Sequence, residues 1–281
     1  MDRRKKRFQG VWLDASIILL LLILIVGLKL VRFDLKNKIT GAVPFGATPS
    51  EVRSETSIAP APSPIGAIAG NVTEVIISGY SVTQSWQGYM GNVTGVITLE
   101  DSSNYTMYNW NVTNPQGEVY AANNSVTWTN IQCFNLTATG TDGSCDQTAT
   151  AGGMNLCGKN ASVLEIEFGM NPTDVDGVDE TFNMTQGSDQ HDVFYTGSHM
   201  FDSGECAFAR MFGSTGEAAN NQWEEVLLWD PNGNNTVFTA LLEQDLLGFD
   251  ARNHDFQMMV LENGRLGDTS ATNYYFYIEV E

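Results

Sequence analysis

Basic residues are scarce in most of this chain. Of 281 residues only 14 are Lys or Arg, and after Arg53 only Lys159, Arg210, Arg252 and Arg265 remain, against 29 acids. A body carrying −25 repels phosphate backbones, which argues against nucleic acid as a partner. Histidine is scarcer still, with His191, His199 and His254 alone. No HExxH, GxSxG or phosphate-loop pattern occurs, so the familiar zinc-protease, serine-hydrolase and nucleotidase signatures are missing and a non-enzymatic role is expected. The chain holds one long apolar run, too little for a multi-span membrane protein. Its apolar content of 42% is ordinary, which argues against overall disorder.

The first 53 residues reverse the charge, with ten basic residues and four acids. Between Arg7 and Lys29 lies the run that contains IILLLLILIVGL, Ile17–Leu28. At 1.5 Å per residue, about 20 residues span the ~30 Å hydrocarbon layer. Residues 11–31 therefore read as one N-terminal transmembrane helix behind a cytoplasmic basic segment, 1–10. Basic residues flank both ends, so charge counting alone leaves the orientation nearly a draw. The sequons and cysteines downstream place the N-terminus inside. A cleaved signal would need a small-x-small site after the run, where KLVRFDLKNK stands instead. A third reading rests on Gly10, which follows a basic stretch and precedes an apolar helix with Asp14. That arrangement resembles the processing region of type IV pilin-like filament subunits. Gln9 rather than a basic residue precedes Gly10.

Residues 32–70 read as a stalk. Five of the eight prolines fall within 41–70, among Gly, Ala, Ser and Thr, a composition that cannot bury a core.

Beyond the stalk, N-x-S/T sequons begin at Asn71, Asn92, Asn104, Asn111, Asn123, Asn135, Asn160, Asn183 and Asn234. With 23 Asn and 43 Ser or Thr, chance gives about 3.5. The excess suits an exported glycoprotein, although Asn- and Thr-rich turns also generate sequons by accident. Cys133, Cys145, Cys157 and Cys206 fall in the same region. In an oxidising compartment they imply two disulfides, with three pairings open. Zinc is the poorer reading, because no CxxC occurs.

The pattern of residues 71–281 is all-β. Expected strands are Val72–Tyr80, Val93–Glu100, Tyr105–Val112, Glu118–Ala121, Ser125–Thr129, Glu224–Leu228, Thr236–Leu242, Phe256–Leu261 and Tyr274–Val280. Asp230-Pro231-Asn232-Gly233-Asn234 is a hairpin connector in which Gly233 is expected to take the positive φ. In the last strand Tyr274, Phe276, Ile278 and Val280 face a core, and Tyr275, Tyr277 and Glu279 face outward. Ala161–Phe168 reads as a short helix or a strand. Many short strands at regular spacing suggest one β-sandwich or jelly-roll-like ectodomain, with a split near the Cys-rich stretch as the alternative.

The segments GYSVTQSWQGYMGNVTGVITLED, NWNVTNPQGEVYA, DVDGVDETF, GFDARNHDFQMMVLENG and YYFYIEVE resemble uncharacterised, N-terminally anchored cell-surface proteins of small-genome archaea. The resemblance covers most of residues 70–281. It implies an archaeal envelope location and no assigned activity.

Three places are candidates for binding. Asp174, Asp176, Asp179 and Glu180, grouped around Gly177, offer hard oxygen ligands for Ca²⁺, although the spacing is not that of an EF-hand loop. The alternative there is a solvated turn or helix start. His191 and His199, with Asp189, Asp192 and Asp202 nearby, are a weaker metal candidate, since histidines in polar stretches are usually solvated. Aromatics from Trp86 to Trp128 (Trp86, Tyr89, Tyr105, Tyr108, Trp110, Tyr120, Trp128) divide between core and exposed sugar-stacking positions. Trp86 and Tyr89 in SWQGYMG are the expected exposed pair. The resulting expectation is a single-pass, stalked, glycosylated protein with a structural or adhesive role at the cell envelope. Glycans, other envelope proteins or further copies in an oligomer or filament would be its partners. A filament subunit and a carbohydrate-binding module are the alternatives, and Ca²⁺ is the one cofactor candidate.

Overall fold

The computed structural model describes residues 43–48, 64–77, 81–136, 161–185, 188–264 and 270–280, and the backbone of 145–151 and 154–157. The chain divides into Met1–Ala42 and Val43–Glu281, and the second unit is described below. The expected transmembrane helix at 11–31 and most of the stalk lie outside the described residues. Among those described, no helix is long and apolar enough to cross a membrane.

The body is mostly antiparallel β-structure. Its centre is a seven-stranded sheet. In spatial order the strands are β1 (Phe45–Ala47), β17 (Tyr275–Val280), β5 (Gly117–Ala122), β13 (Asn235–Leu241) and β12 (Glu224–Asp230). The far edge of β12 is then shared end to end by β11 (Phe208–Arg210) and β6 (Gln132–Cys133). Leu227 sits at the junction, donating to the Ala207 carbonyl at 2.9 Å and accepting from the Phe134 N–H at 3.0 Å. Among the described residues, five two-stranded ladders accompany the sheet.

Strand β12 shows why the sheet is central. All seven of its residues are buried. Alternation sends Leu227 and Trp229 to one core and Val226 and Leu228 to the other. Such a strand reads as a continuous apolar run because both faces are covered. On the first face lies the ladder of β2 (Trp86–Gly91) with β16 (Phe256–Leu261), together with helix α1 (Ala161–Glu167) and the short α2 (Val178–Thr181). On the second lies the hairpin of β9 (Phe194–Thr196) and β10 (His199–Phe201), whose Phe194 and Phe201 rings stack at 4.7 Å. The layers are therefore unequal: one broad sheet, faced by small ladders and helices, rather than two sheets of similar size.

The β12–β13 connection departs from expectation in one detail. Asp230 Oδ1 accepts the N–H groups of Asn232 and Gly233 at 2.9 and 3.0 Å, an Asx-type turn. The left-handed residue is Asn234, at φ 57, not Gly233. Gly233 is needed instead for space, since a Cβ there would meet the Asp230 carboxylate.

Three other expectations are corrected. Residues 71–77 form no strand, and Val72 and Ile76 are 102% and 92% exposed. Among the described residues no strand pairs with them, and alternation alone supplies no hydrogen-bonding partner. Ser125–Thr129 is not a strand either, although Trp128 packs edge-on against Tyr120 and Tyr277 at 4.9 and 5.1 Å. The outward face assigned to β17 is covered only toward its end: Tyr275 is exposed as expected, Tyr277 is half-buried, and Glu279 is buried beside its directly opposed neighbour Glu118. Glu279 accepts the Gly197 N–H at 2.8 Å, and Glu118 accepts that of Tyr195 at 3.1 Å. The β9–β10 hairpin covers these acids, which the strand's own periodicity cannot announce.

Candidate functional site

Helix α1 forms because Ala161, Leu164 and Phe168 recur on one buried face. Glu165 lies on that face too, and is 0% exposed. Its Oε1 accepts the Val178 N–H at 2.7 Å, and no N–H or hydroxyl group donates to its Oε2. Asp179 and Glu180 on α2 complete the cluster, with ligand atoms from the three carboxyls all within 4.8 Å of one another. Burial, and then the neighbouring Asp179 and Glu180 charges, push the Glu165 carboxyl up against the opposing effect of the Val178 N–H. A hydrogen bond shared with Asp179 pushes Glu180 up as well.

Two of the four acids expected here turn their side chains elsewhere. Asp174 Oδ2 accepts the Asn171 N–H at 2.8 Å. Asp176 Oδ2 accepts the Thr83 hydroxyl at 2.6 Å, while its carbonyl accepts the Trp86 indole N–H at 2.7 Å. Glu165 enters from a separate element. The available signal was a charged residue on the apolar face of the possible helix ASVLEIEF. Among the described residues this is the one group of three or more candidate ligand side chains.

His191 and His199 do not converge on a metal. His191 is fully buried and both ring nitrogens are engaged: Nε2 accepts the Cys206 N–H at 2.9 Å, and Nδ1 contacts the Asp192 carbonyl at 2.7 Å. Burial lowers its pKa. The His199 ring packs edge-on against Phe201 at 4.5 Å. Asp189 is paired with Arg210 at 2.9 Å, and Asp192 accepts the Asn221 amide at 3.0 Å.

Trp86 and Tyr89 have different surroundings. The Trp86 ring lies against Phe182 and Phe238 at 6.0 and 6.4 Å, which makes it part of the packing between ladder and sheet. Tyr89 packs edge-on against Phe276 at 5.2 Å and lines a pocket of about 510 Å³. Met90, Met211, Met258, Met259, Phe212 and Phe249 make that pocket largely apolar, and Arg210 and two glutamines supply its polar groups. No sequence motif announced it, because its walls come from three distant segments.

Exposed aromatics also stand together on the ribbon of β3 (Gly95–Glu100) and β4 (Thr106–Val112). Register places Ile97 opposite Trp110 and Leu99 opposite Tyr108. These four therefore share one face, while Val96, Thr98, Asn109 and Asn111 share the other, where Val96 is the one apolar member. The Tyr108 and Trp110 rings meet edge-on at 4.9 Å, and the two residues are 59% and 51% exposed.

Of the sequon asparagines, Asn71, Asn92, Asn104, Asn111, Asn123 and Asn234 are exposed. Asn183 is half-buried in a bridge to Phe208, and Asn135 is buried. Asn160 lies outside the described residues. Cys133 and Cys206 form a disulfide across 73 residues. Cys145 and Cys157 stand directly opposite each other in the backbone ladder of β7 (Cys145–Ala151) and β8 (Met154–Cys157). No protein-family model, curated protein or solved structure matches this chain.

Proposed function

We propose that this is a membrane-anchored extracellular glycoprotein, with a β-sandwich-like ectodomain and a structural or adhesive role at the cell envelope, without catalysis. In this reading residues 1–10 are cytoplasmic, 11–31 cross the membrane, 32–70 are the stalk apart from Phe45–Ala47, which pair with β17 in the body's sheet, and 71–281 form the exterior body. The supporting observation is the exposure of six of the eight described sequon asparagines, on a body stapled by a disulfide. The β3–β4 ribbon is the adhesive element. Its apolar face carries Ile97, Leu99, Tyr108 and Trp110, and the sequon residue Asn111 lies on the opposite face, so a glycan there leaves the apolar side open. A contiguous exposed apolar face of this kind marks an interaction surface.

The test is protease treatment of intact cells with glycopeptide mass spectrometry. Cleavage of the body from outside and glycans at the six exposed asparagines, with Asn135 unmodified, are expected. A body untouched by protease that reaches other surface proteins would overturn the reading. A mature chain starting at Val11, together with filaments in electron micrographs, would replace it by the pilin-like alternative.

The paired Tyr108 and Trp110 rings favour a second reading, a carbohydrate-binding surface, because exposed aromatic faces stack on sugar rings. Binding on a glycan array that disappears in the Trp110→Ala variant would establish it, and an array without binding at micromolar protein would remove it.

A further inference from the structure

We propose that Glu165, Asp179 and Glu180, together with the Asp174 carbonyl, form a Ca²⁺ site. The donors are all oxygen, the set that Ca²⁺ takes. Their carboxylate ligand atoms lie within 4.8 Å of one another. Ca²⁺ binds oxygen at ~2.4 Å, so ligands on opposite sides of the ion stand about 4.8 Å apart. Mg²⁺ demands near-ideal octahedral geometry and gives up its waters reluctantly, whereas Ca²⁺ accepts an irregular set of carboxylates and waters.

A group of acids alone says little in so acidic a chain, and the independent observation is Glu165. It is 0% exposed, and its Oε2 has no hydrogen-bond donor. A buried carboxylate oxygen without a donor carries a desolvation cost that a bound cation removes. Gly177 gives a second indication. A Cβ at this position would run into Glu180 Oε2, Glu165 Oε1 and the Asp174 carbonyl, so only glycine lets these three oxygens stand so close together.

The surroundings hold the ligands in place. The 171–177 turn is closed by the Asp174 N–H to the Asn171 carbonyl at 2.8 Å and the Gly177 N–H to the Asp174 carbonyl at 3.1 Å. Thr83 and Trp86 anchor Asp176. Helix α1 is fixed through its buried apolar face. Asp179 and Glu180 are exposed, so water can complete the coordination shell. An ion here ties α1 to α2, independently of whether the chain is anchored or glycosylated.

The experiment uses the full-length chain in detergent. Thermal midpoints in millimolar CaCl₂, millimolar MgCl₂ and EDTA are compared, and Ca²⁺ is titrated calorimetrically. Ca²⁺ is expected to raise the midpoint by several degrees over EDTA, with Mg²⁺ giving less. Glu180→Gln and Asp179→Asn are expected to weaken Ca²⁺ binding at least tenfold, and, because each relieves repulsion among the carboxylates, not to lower the EDTA midpoint. Glu165→Gln is expected to abolish the Ca²⁺-dependent rise. An unchanged wild-type midpoint overturns the site. So does a full Ca²⁺ response in the Glu180 and Asp179 variants, which would mean diffuse binding to the acidic surface. An equal response to Mg²⁺ overturns the assignment to Ca²⁺.

Discussion

His191 Nε2 accepts the main-chain N–H of Cys206 at 2.9 Å. With the Asp192 carbonyl 2.7 Å from Nδ1, that nitrogen carries the ring proton and Nε2 presents its lone pair, which defines one neutral tautomer. Cys206 is bridged to Cys133 on β6, so the imidazole and the disulfide act on the same residue. Together they join the 191 loop to both short strands along the β12 edge.

Protonating His191 removes this acceptor, and burial lowers its pKa from the ordinary 6.5. On acidification the unfolded chain takes up the proton first. The stabilisation is complete above about pH 6.5 and is lost as pH falls from there toward the depressed native value. His191→Phe retains packing against Phe194 and Phe208 but leaves the Cys206 N–H without an acceptor. A loss of about 1–3 kcal/mol near neutral pH is expected. Urea unfolding at a series of pH values should also show this acid-side slope missing from the variant.

Glu224 produces the opposite slope. Burial, and then the Asp192 and Asp189 charges, push its carboxyl from 4.5 up to about 7, despite the Asp192 N–H donated to Oε2 at 2.7 Å. Between those values the native protein holds a proton that the unfolded chain has released, so stability falls as pH rises through the window. Glu224→Gln keeps an amide oxygen for the Asp192 N–H and removes the titration. The variant is expected to gain up to about 3 kcal/mol above pH 7 and to be insensitive at this position. A variant no more stable than wild type at pH 8 in the same urea series would contradict the assignment.

With Cys133 and Cys206 joined, one pairing remains for the other two cysteines. The backbone register sets Cys145 directly opposite Cys157. Non-reducing peptide mapping is expected to recover a Cys145–Cys157 crosslinked peptide, separate from the Cys133–Cys206 one. The longer bridge closes a 73-residue loop and is worth about 4 kcal/mol in the chain-entropy account. Cys133→Ala with Cys206→Ala should therefore destabilise the fold by about 1–2 kcal/mol more than losing the hairpin bridge.

Gly117 opens β5 at φ 118, and a Cβ there would collide with the Glu279 carbonyl of β17. Gly117→Ala combines backbone strain with displacement of the neighbouring strand, so a loss of more than about 2 kcal/mol in denaturant unfolding is expected. Gly46→Ala on β1 is the control. A Cβ at that position meets nothing within 4 Å, and a change within about 0.5 kcal/mol is expected.

Much of the strand content was legible because period-two patterning is local. Phe256–Leu261 matches its expected range, and β12, β13 and β17 differ from theirs by one or two residues at an end. The candidate ion site was half legible. Asp179 and Glu180 stand where the acidic stretch suggested, but Asp174 and Asp176 spend their carboxylates on Asn171 and Thr83. The missing ligand, Glu165, belongs to an element whose type the sequence left open. The exposed aromatics were sought in SWQGYMG, yet Trp86 faces Phe182 and Phe238 while Tyr108 and Trp110 stand open. Each of these residues alternates correctly within its strand. The difference lies in which strand another layer covers.

The order of residues thus determined the charge asymmetry, the sequons, the strands with clear alternation and the β12–β13 turn, since each depends on neighbours a few positions apart. Tertiary structure alone decided that β12 is covered on both faces and Glu279 of β17 is buried, that Cys133 meets Cys206, and that Glu165 joins Asp179 and Glu180. Those outcomes depend on contacts between segments far apart in the chain, and no local period records which distant surface will exclude water from a given side chain.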